Sequence, residues 1–167
     1  MNMLEYYTKA IVLDREKRGE YNGLIHLLTA DLGRVEARVT GINKITSKLS
    51  GHFQIGNLVL ARLIEKNEIR LVDGLSMAKL NIMHELLLMV RKLAPLFNKD
   101  IDLFNILLGQ KVDVRILLSY FGYDASGAIC SLSGRKNPEC FMLNSLDFVK
   151  KELLPSLKLG YDEVVCL

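Results

Sequence analysis

Three features of this sequence predict a small β-barrel followed by a helical domain. Up to about residue 77, short apolar runs with an alternating pattern are separated by turn residues, which is typical of strands. From Met77 onward the apolar residues recur every three or four positions, which is typical of amphipathic helices. Half of the 167 residues are hydrophobic, so the chain can bury a proper core. We therefore expect a barrel domain at 1–77 and a small helical domain at 78–167.

Five strands are expected in the first half, at 6–13, 24–29, 34–40, 53–65 and 69–75. The charged stretch DREKRGEYNG after the first strand is expected to be a long loop. Gly33 is expected to supply a left-handed turn, and Gly56 a bulge or bend in the fourth strand. Five strands connected in order fit the oligonucleotide-binding (OB) fold, although an SH3-like barrel or a small open sheet would share this pattern.

Helices are expected in the second half. The first ends before Pro95, because proline cannot continue a helix. The second is capped by Asn98 or Asp100, and the third ends at Gly122. A last helix is expected at 145–154, after a loop rich in glycine, serine and proline.

The cysteines favour neither a disulfide framework nor a metal site. There are three of them, an odd number, so a reducing cytoplasm is the simplest compartment. Cys130 and Cys140 lie in the loop at 124–140, where a structural zinc ion would need four close ligands. Ser133 stands where a second thiolate would belong. Cys130 and Cys140 are therefore weak zinc candidates, and we expect neither zinc nor another cofactor.

Catalytic patterns are absent from the sequence. His26, His52 and His84 have no ligand spacing between them, and each is expected to be structural or exposed. The sequence contains no nucleophile elbow, phosphate-binding glycine loop or HExxH motif. An enzyme is therefore not expected.

The stretch 33–51 is the strongest candidate binding site. Its third-strand residues Arg34 and Arg38 flank Glu36 on one face, and the following loop carries Lys44 and Lys48. A polyanion could follow these cations, with hydroxyl contacts from the same loop. The alternative is a solvated strand face with a polar loop. Further candidates are the hydroxyls of Thr46 and Ser47, the cations Lys9, Arg15, Lys17 and Arg18, and the possible stacking residues Tyr6, Tyr7 and Tyr21.

A series of motifs in order resembles the amino-terminal domain of RecO, a family of bacterial recombination mediators. The series lies within KAIVLDREKRGEYNGLIHLLTADLGRVEARVTGINKITSKLSGHFQIGNLVLARL, and the resemblance covers residues 4–77. The series comprises the strand AIVL, Glu20, the run ending in Leu28-Thr29, the strand LGRVEARVTG, the loop SKLSG and the aromatic Phe53. A weaker resemblance continues through VRILLSYFGYD to the loop of Cys130.

The resemblance implies an OB barrel followed by a helical domain. It also implies binding to single- and double-stranded DNA, strand annealing and help in loading a recombinase. The implied partners are RecR and the tail of single-strand-binding protein. The helical part of this chain is short, so the tail site is expected to be reduced or absent. Its cysteine set is incomplete, so zinc is not carried over.

A protein-interaction scaffold with no direct DNA role is the main alternative, because the net charge is only +3 and the helical half is apolar. A metal-dependent role is a third alternative. No secretory signal or bilayer-spanning run is visible in the sequence, so a cytoplasmic protein without membrane contact is expected.

Overall fold

The computed structural model describes residues 3–109, 111–160 and 163–167. They form two compact units. The first comprises the chain up to His84 and the segment that begins at Ala94 and precedes Lys111. The second comprises Glu85–Leu93 and the chain from Lys111 onward. Residues 94–109 thus belong with the barrel. The division into domains at 1–77 and 78–167 stays a prediction.

The first unit is built on a closed five-stranded barrel. Its strands are β1 (Leu4–Arg18), β2 (Asn22–Thr29), β3 (Gly33–Val39), β4 (Asn57–Glu65) and β5 (Ile69–Lys79), and a short helix α1 (Lys48–His52) precedes β4. The order around the barrel is β1-β2-β3-β5-β4, with β4 returning to β1. All pairings are antiparallel except that of β3 with β5. The predicted OB fold is confirmed.

Strand β1 closes the barrel because it is long enough to pair on both sides. Residues 4–11 pair with β4, and residues 10–18 pair with β2. The register with β2 shifts between Val12 and Asp14, which marks an irregularity at the point where the strand changes partner. Inward-facing residues of all five strands form one core with Ile42 and Phe53. Alternation along β3 therefore leaves Arg34, Glu36 and Arg38 on the face away from this core.

Three predictions for the barrel region are wrong in detail. The expected loop after the first strand is mostly strand, since residues 14–18 stay paired with β2. The expected fourth strand begins only at Asn57, because Phe53 is buried in the core and Gly56 turns with a φ of 80°. The loop expected before it contains α1. Charged residues at 14–18 suit a strand because alternate positions face outward.

A segment after the barrel packs along the start of β3. The Phe97 amide donates to the Arg34 carbonyl at 2.9 Å, and Arg34 forms a parallel bridge with Leu96. The helix α3 (Ile101–Leu108) follows, capped by the Asp100 carboxylate, which accepts from the Leu103 amide at 2.9 Å. The expected cap at Asp100 is confirmed.

The second unit combines helices with a small sheet. The helices are α2 (His84–Leu93), which belongs to this unit from Glu85 onward, and α4 (Val114–Tyr120); the strands are β6 (Cys140–Met142), β7 (Asp147–Val149) and β8 (Val164–Cys166). The first helix ends before Pro95 as expected. The helix expected at 145–154 is wrong, because β7 pairs with β6 and a 3₁₀ helix follows at Lys151–Ser156. Leu146 makes the turn between the two strands with a φ of 60°.

The cysteines also differ from expectation, since Cys140 and Cys166 form a disulfide. Their strands β6 and β8 are paired at these two residues. Cys130 is free and buried, and its sulfur accepts from the Lys150 amide at 3.4 Å. A hydrogen bond from the Ser133 side chain lowers the pKa of the Cys130 thiol to about 7. The three cysteines therefore form one disulfide and leave one free thiol.

Within the described ranges, no helix is long and apolar enough to cross a membrane.

Replacing Gly33 with alanine should destabilise the first unit. A Cβ at Gly33 would lie 1.9 Å from the Asn98 carbonyl oxygen, and the residue has a φ of 73°. We expect the free energy of unfolding to fall by about 2 kcal/mol or more. Urea unfolding followed by circular dichroism measures it. Gly51→Ala is the matched control, because nothing lies within 4 Å of its added Cβ; equal stability of the two variants would contradict the prediction.

Candidate nucleic-acid interface

A groove of about 890 Å³ crosses the outer face of β2, β3 and β5, and we call it the arginine groove. Three arginines line it, Arg18, Arg38 and Arg70, together with the carboxylates Glu36 and Glu68. It lies between the β1–β2 turn and the β4–β5 hairpin. OB folds bind oligonucleotides on the face of their second and third strands, between these same two loops. The groove therefore occupies the place where this fold binds nucleic acid.

The fold brings each arginine to the groove through strand geometry. Arg38 is on the outward face of β3, between the buried residues Ala37 and Val39. The single parallel pairing between β3 and β5 sets Arg70 beside it. Arg18 comes from the last position of β1, next to the turn. Three separate stretches of sequence thus supply one cationic surface.

Glu68 holds two of these arginines. Its Oε2 lies 2.7 Å from Arg38 Nε, and its Oε1 lies 3.0 Å from Arg70 Nη2. The two guanidinium side chains remain 71% and 68% exposed, so solvent reaches both ion pairs. Exposed pairs of this kind contribute little to stability. A phosphate could therefore displace Glu68 at small cost.

A chain of charges continues along the same face, over β1, β2 and β3. His26 is buried, with Nε2 2.9 Å from Glu16 Oε1 and Nδ1 3.5 Å from Glu36 Oε1. Glu16 also pairs with Arg18 at 2.6 Å, and Glu36 with Arg34 at 3.2 Å. Each carboxylate in this chain is shared between groups. Arg18 and Glu36 of the arginine groove are therefore both engaged within this chain.

The side chain of Arg34 is used in contacts within the first unit. Its side chain is 13% exposed, and Nε donates to the Ala94 carbonyl at 2.7 Å. The same guanidinium contacts Glu36. Arg34 and Glu36 share a face as expected, but Arg34 is engaged within the fold and does not line the arginine groove.

The loop after β3 places its four candidates at different points. Lys44 lies over the ring of Tyr21, with Nζ 5.7 Å from the ring centroid. Thr46 is exposed, and Ser47 is the residue before α1. Lys48, in the first turn of α1, lines a separate groove. The loop itself is fixed to the start of β2, because the Asn43 side chain donates to the Asn22 carbonyl at 2.7 Å.

The remaining predicted cations are dispersed around the barrel. Lys9 is exposed on β1 opposite Leu60. Arg15 donates to the Ser50 carbonyl at 3.1 Å, and burial lowers the pKa of its guanidinium. Arg15 and Lys17 line a small third groove of about 210 Å³. Of the residues expected to bind DNA, only Arg18 and Arg38 line the arginine groove.

Sequence reasoning missed Arg70 and Glu68. Glu68 is the last residue of the hairpin at 66–68 and Arg70 comes two residues later, and neither lies in a cationic run. The signal that could have found them was the fold order itself, because an OB barrel places this hairpin beside the third strand. Glu68 is as important to the groove as Arg70, because its ion pairs determine how available Arg38 and Arg70 are to a ligand.

No cluster of three or more His, Cys, Asp or Glu side chains that could hold a metal ion occurs within residues 3–109, 111–160 and 163–167. The weak candidate Cys140 is bonded to Cys166 and offers no thiolate.

The similarity of this chain to known proteins lies in the barrel. Residues 1–80 match the family model described as recombination protein O N terminal. Three curated proteins named DNA repair protein RecO, from strains of Dehalococcoides mccartyi, are 41%, 39% and 37% identical over 51 residues. Each match covers 30% of this chain and 20% of the relative. The predicted resemblance is confirmed for the amino-terminal part of the chain.

Replacing Arg34 with methionine should destabilise the protein, because it removes the bond to the Ala94 carbonyl and the contact with Glu36. We expect a loss of about 1–3 kcal/mol in the free energy of unfolding. Urea titration measures it. Arg38→Met is the control, since its 71% exposed side chain should cost little. A larger loss in the free energy of unfolding for Arg38→Met than for Arg34→Met would contradict the buried position of Arg34 and the exposed position of Arg38.

Proposed function

Because the chain is RecO-like over its amino-terminal part, we propose that it acts in DNA repair and recombination as a DNA-binding protein without catalytic activity. The observation that carries this is the arginine groove at the OB binding face. Its three arginines would contact successive phosphates of a DNA strand. Backbone contacts of this kind fix position and carry no sequence information, so the binding should be weak in sequence preference.

The charges of the groove support a modest, salt-sensitive interaction. Three cations and two carboxylates line it, which leaves a small positive excess. Counterion release from a strand would supply most of the binding free energy, and it weakens as salt rises. Lys44 and Lys48 in the neighbouring loop would extend the contact. Binding to single and double strands, strand annealing and recombinase loading, with RecR and single-strand-binding protein as partners, complete the proposal by analogy with RecO.

Removing Arg38 and Arg70 together should weaken binding to all DNA sequences. The double Gln variant should reduce the slope of log affinity against log salt by about 0.7 per lost contact on single strands and about 0.9 on duplex. Fluorescence anisotropy with labelled oligonucleotides at several salt concentrations measures it. A strand-annealing assay with the same proteins shows whether annealing depends on the groove.

Two controls locate the site. Arg135→Gln removes an equally exposed arginine of the second unit, paired with Glu152. The Lys44→Gln, Lys48→Gln double variant tests the loop. An unchanged slope in the Arg38, Arg70 variant, with a reduced slope in the lysine variant, would move the site to the loop. Absence of DNA binding by the unaltered protein at low salt would reject the proposal in favour of a protein-interaction role.

Glu68→Gln should strengthen DNA binding. The substitution preserves the shape of the side chain but removes the charge that engages both arginines, so phosphates no longer compete with a carboxylate. We expect affinity at low salt to rise by about 2- to 10-fold, the range that two exposed ion pairs allow. Glu152→Gln makes the same charge change in the second unit, away from the groove lining. Equal gains in the two variants would mean that only net charge matters.

A further inference from the structure

A second groove of about 420 Å³ lies on the face formed by β1, β4 and β5, and we call it the tyrosine groove. Its exposed large apolar side chains are Tyr7, Leu60 and Leu75, which are 65%, 44% and 59% exposed. Leu60 and Leu75 are cross-strand partners, so they form a continuous apolar surface. A volume of this size falls within the range of about 300–1,000 Å³ that is usual for ligand sites.

The polar groups around this surface carry little net charge. Lys48 and Arg62 are cationic and Asp73 is acidic. Arg62 forms an ion pair with Glu5 and lies 5.8 Å from the centroid of the Tyr7 ring. The tyrosine hydroxyl donates to the same carboxylate of Glu5 at 3.1 Å. These contacts hold the ring in a fixed orientation while most of it stays in solvent.

His52 adds a polar group, whose Nδ1 accepts from the Ser76 amide at 3.3 Å. Arg62 is engaged by Glu5, so Lys48 is the cation of this lining that no ion pair in the described residues engages. The carboxylates of Asp73 and Glu5 would repel a strongly acidic peptide here. They would not repel a flat, uncharged ring, and a single phosphate next to that ring could pair with Lys48.

The tyrosine groove also adjoins the arginine groove. Leu49 of α1 lines both, and on β5 Val72 lines the arginine groove while the next residue, Asp73, lines the tyrosine groove. A strand bound along the arginine groove would pass over α1 and reach Tyr7. Only an unpaired base could stack there, since the bases of a duplex stack on one another.

We propose that the tyrosine groove is a stacking site for one unpaired base of a single strand whose backbone lies in the arginine groove. The proposal rests on the function proposed above. Such a site would make the protein prefer single strands to duplex. The arginine groove can bind the phosphates of both kinds of DNA, whereas Tyr7 can stack only on an unpaired base. Its contribution should be independent of salt, since stacking releases no counterions.

The test compares Tyr7→Ala with Tyr7→Phe, which keeps the ring and loses only the bond to Glu5. The probe is an oligothymidine of about 20 nucleotides with one central 2-aminopurine, longer than a single OB-fold site of about 4–16 nucleotides. Stacking on tyrosine quenches 2-aminopurine, and the chain contains no tryptophan that would confuse the signal. Binding to this probe and to a matched duplex is measured by anisotropy. Circular dichroism is recorded for each variant.

Tyr7→Ala should weaken single-strand binding by roughly 5- to 150-fold, the usual effect of one lost stacking contact. It should abolish the quenching and leave both the salt slope and duplex affinity unchanged, whereas Tyr7→Phe should behave like the unaltered protein. Equal losses on single strand and duplex, equal losses in both variants, or no loss would overturn the stacking site.

These outcomes are separable from failure of the proposed function. If the Arg38, Arg70 variant loses DNA binding and Tyr7→Ala does not, only the stacking site is rejected. If the unaltered protein binds no DNA, both proposals fall. An acidic, apolar peptide provides the last arm: binding that Tyr7→Ala abolishes, with single-strand affinity unchanged, would assign this groove to a peptide and overturn the proposal.

Discussion

The barrel depends on β1 pairing with two strands at once. Its first residues complete a sheet with β4 and its last residues complete one with β2. Both ladders include Ala10 and Ile11, so neither can shift register without disturbing the other. Closure then fixes the parallel contact of β3 with β5. The arginine groove exists because this contact sets Arg38 beside Arg70.

Local patterns predicted the barrel well, because apolar residues at alternate positions of strands such as β3 and β4 form its core. They failed where packing overrides composition. Residues 14–18 have a loop-like composition but remain in β1, since β2 supplies their hydrogen bonds. The apolar residues near 145–154 suit a helix, yet β7 pairs with β6, whose other edge is joined to β8 by the Cys140–Cys166 disulfide. Pairings between distant residues leave no periodic signal in one sequence.

The candidate site was only partly predictable for the same reason. Counting cations along the chain finds Arg38 but treats Arg34 as its equal, although residues 94–97 cover Arg34 and bind its side chain. Charge runs also overlook Arg70, which stands alone in sequence and reaches the groove through strand order. The contribution of a cation to binding depends on what the fold leaves it free to contact, and that is a tertiary property.

Pairing each groove arginine with a carboxylate affects which anions can bind. Glu68 engages both Arg38 and Arg70, so an anion that binds them must displace this carboxylate. A single phosphate must displace this carboxylate alone and gains little. A strand that has displaced it once presents further phosphates at high effective concentration. An arginine groove with a small net charge can therefore reject single anions and still bind a polyanion, which a chain with a net charge of only +3 could not achieve through overall attraction.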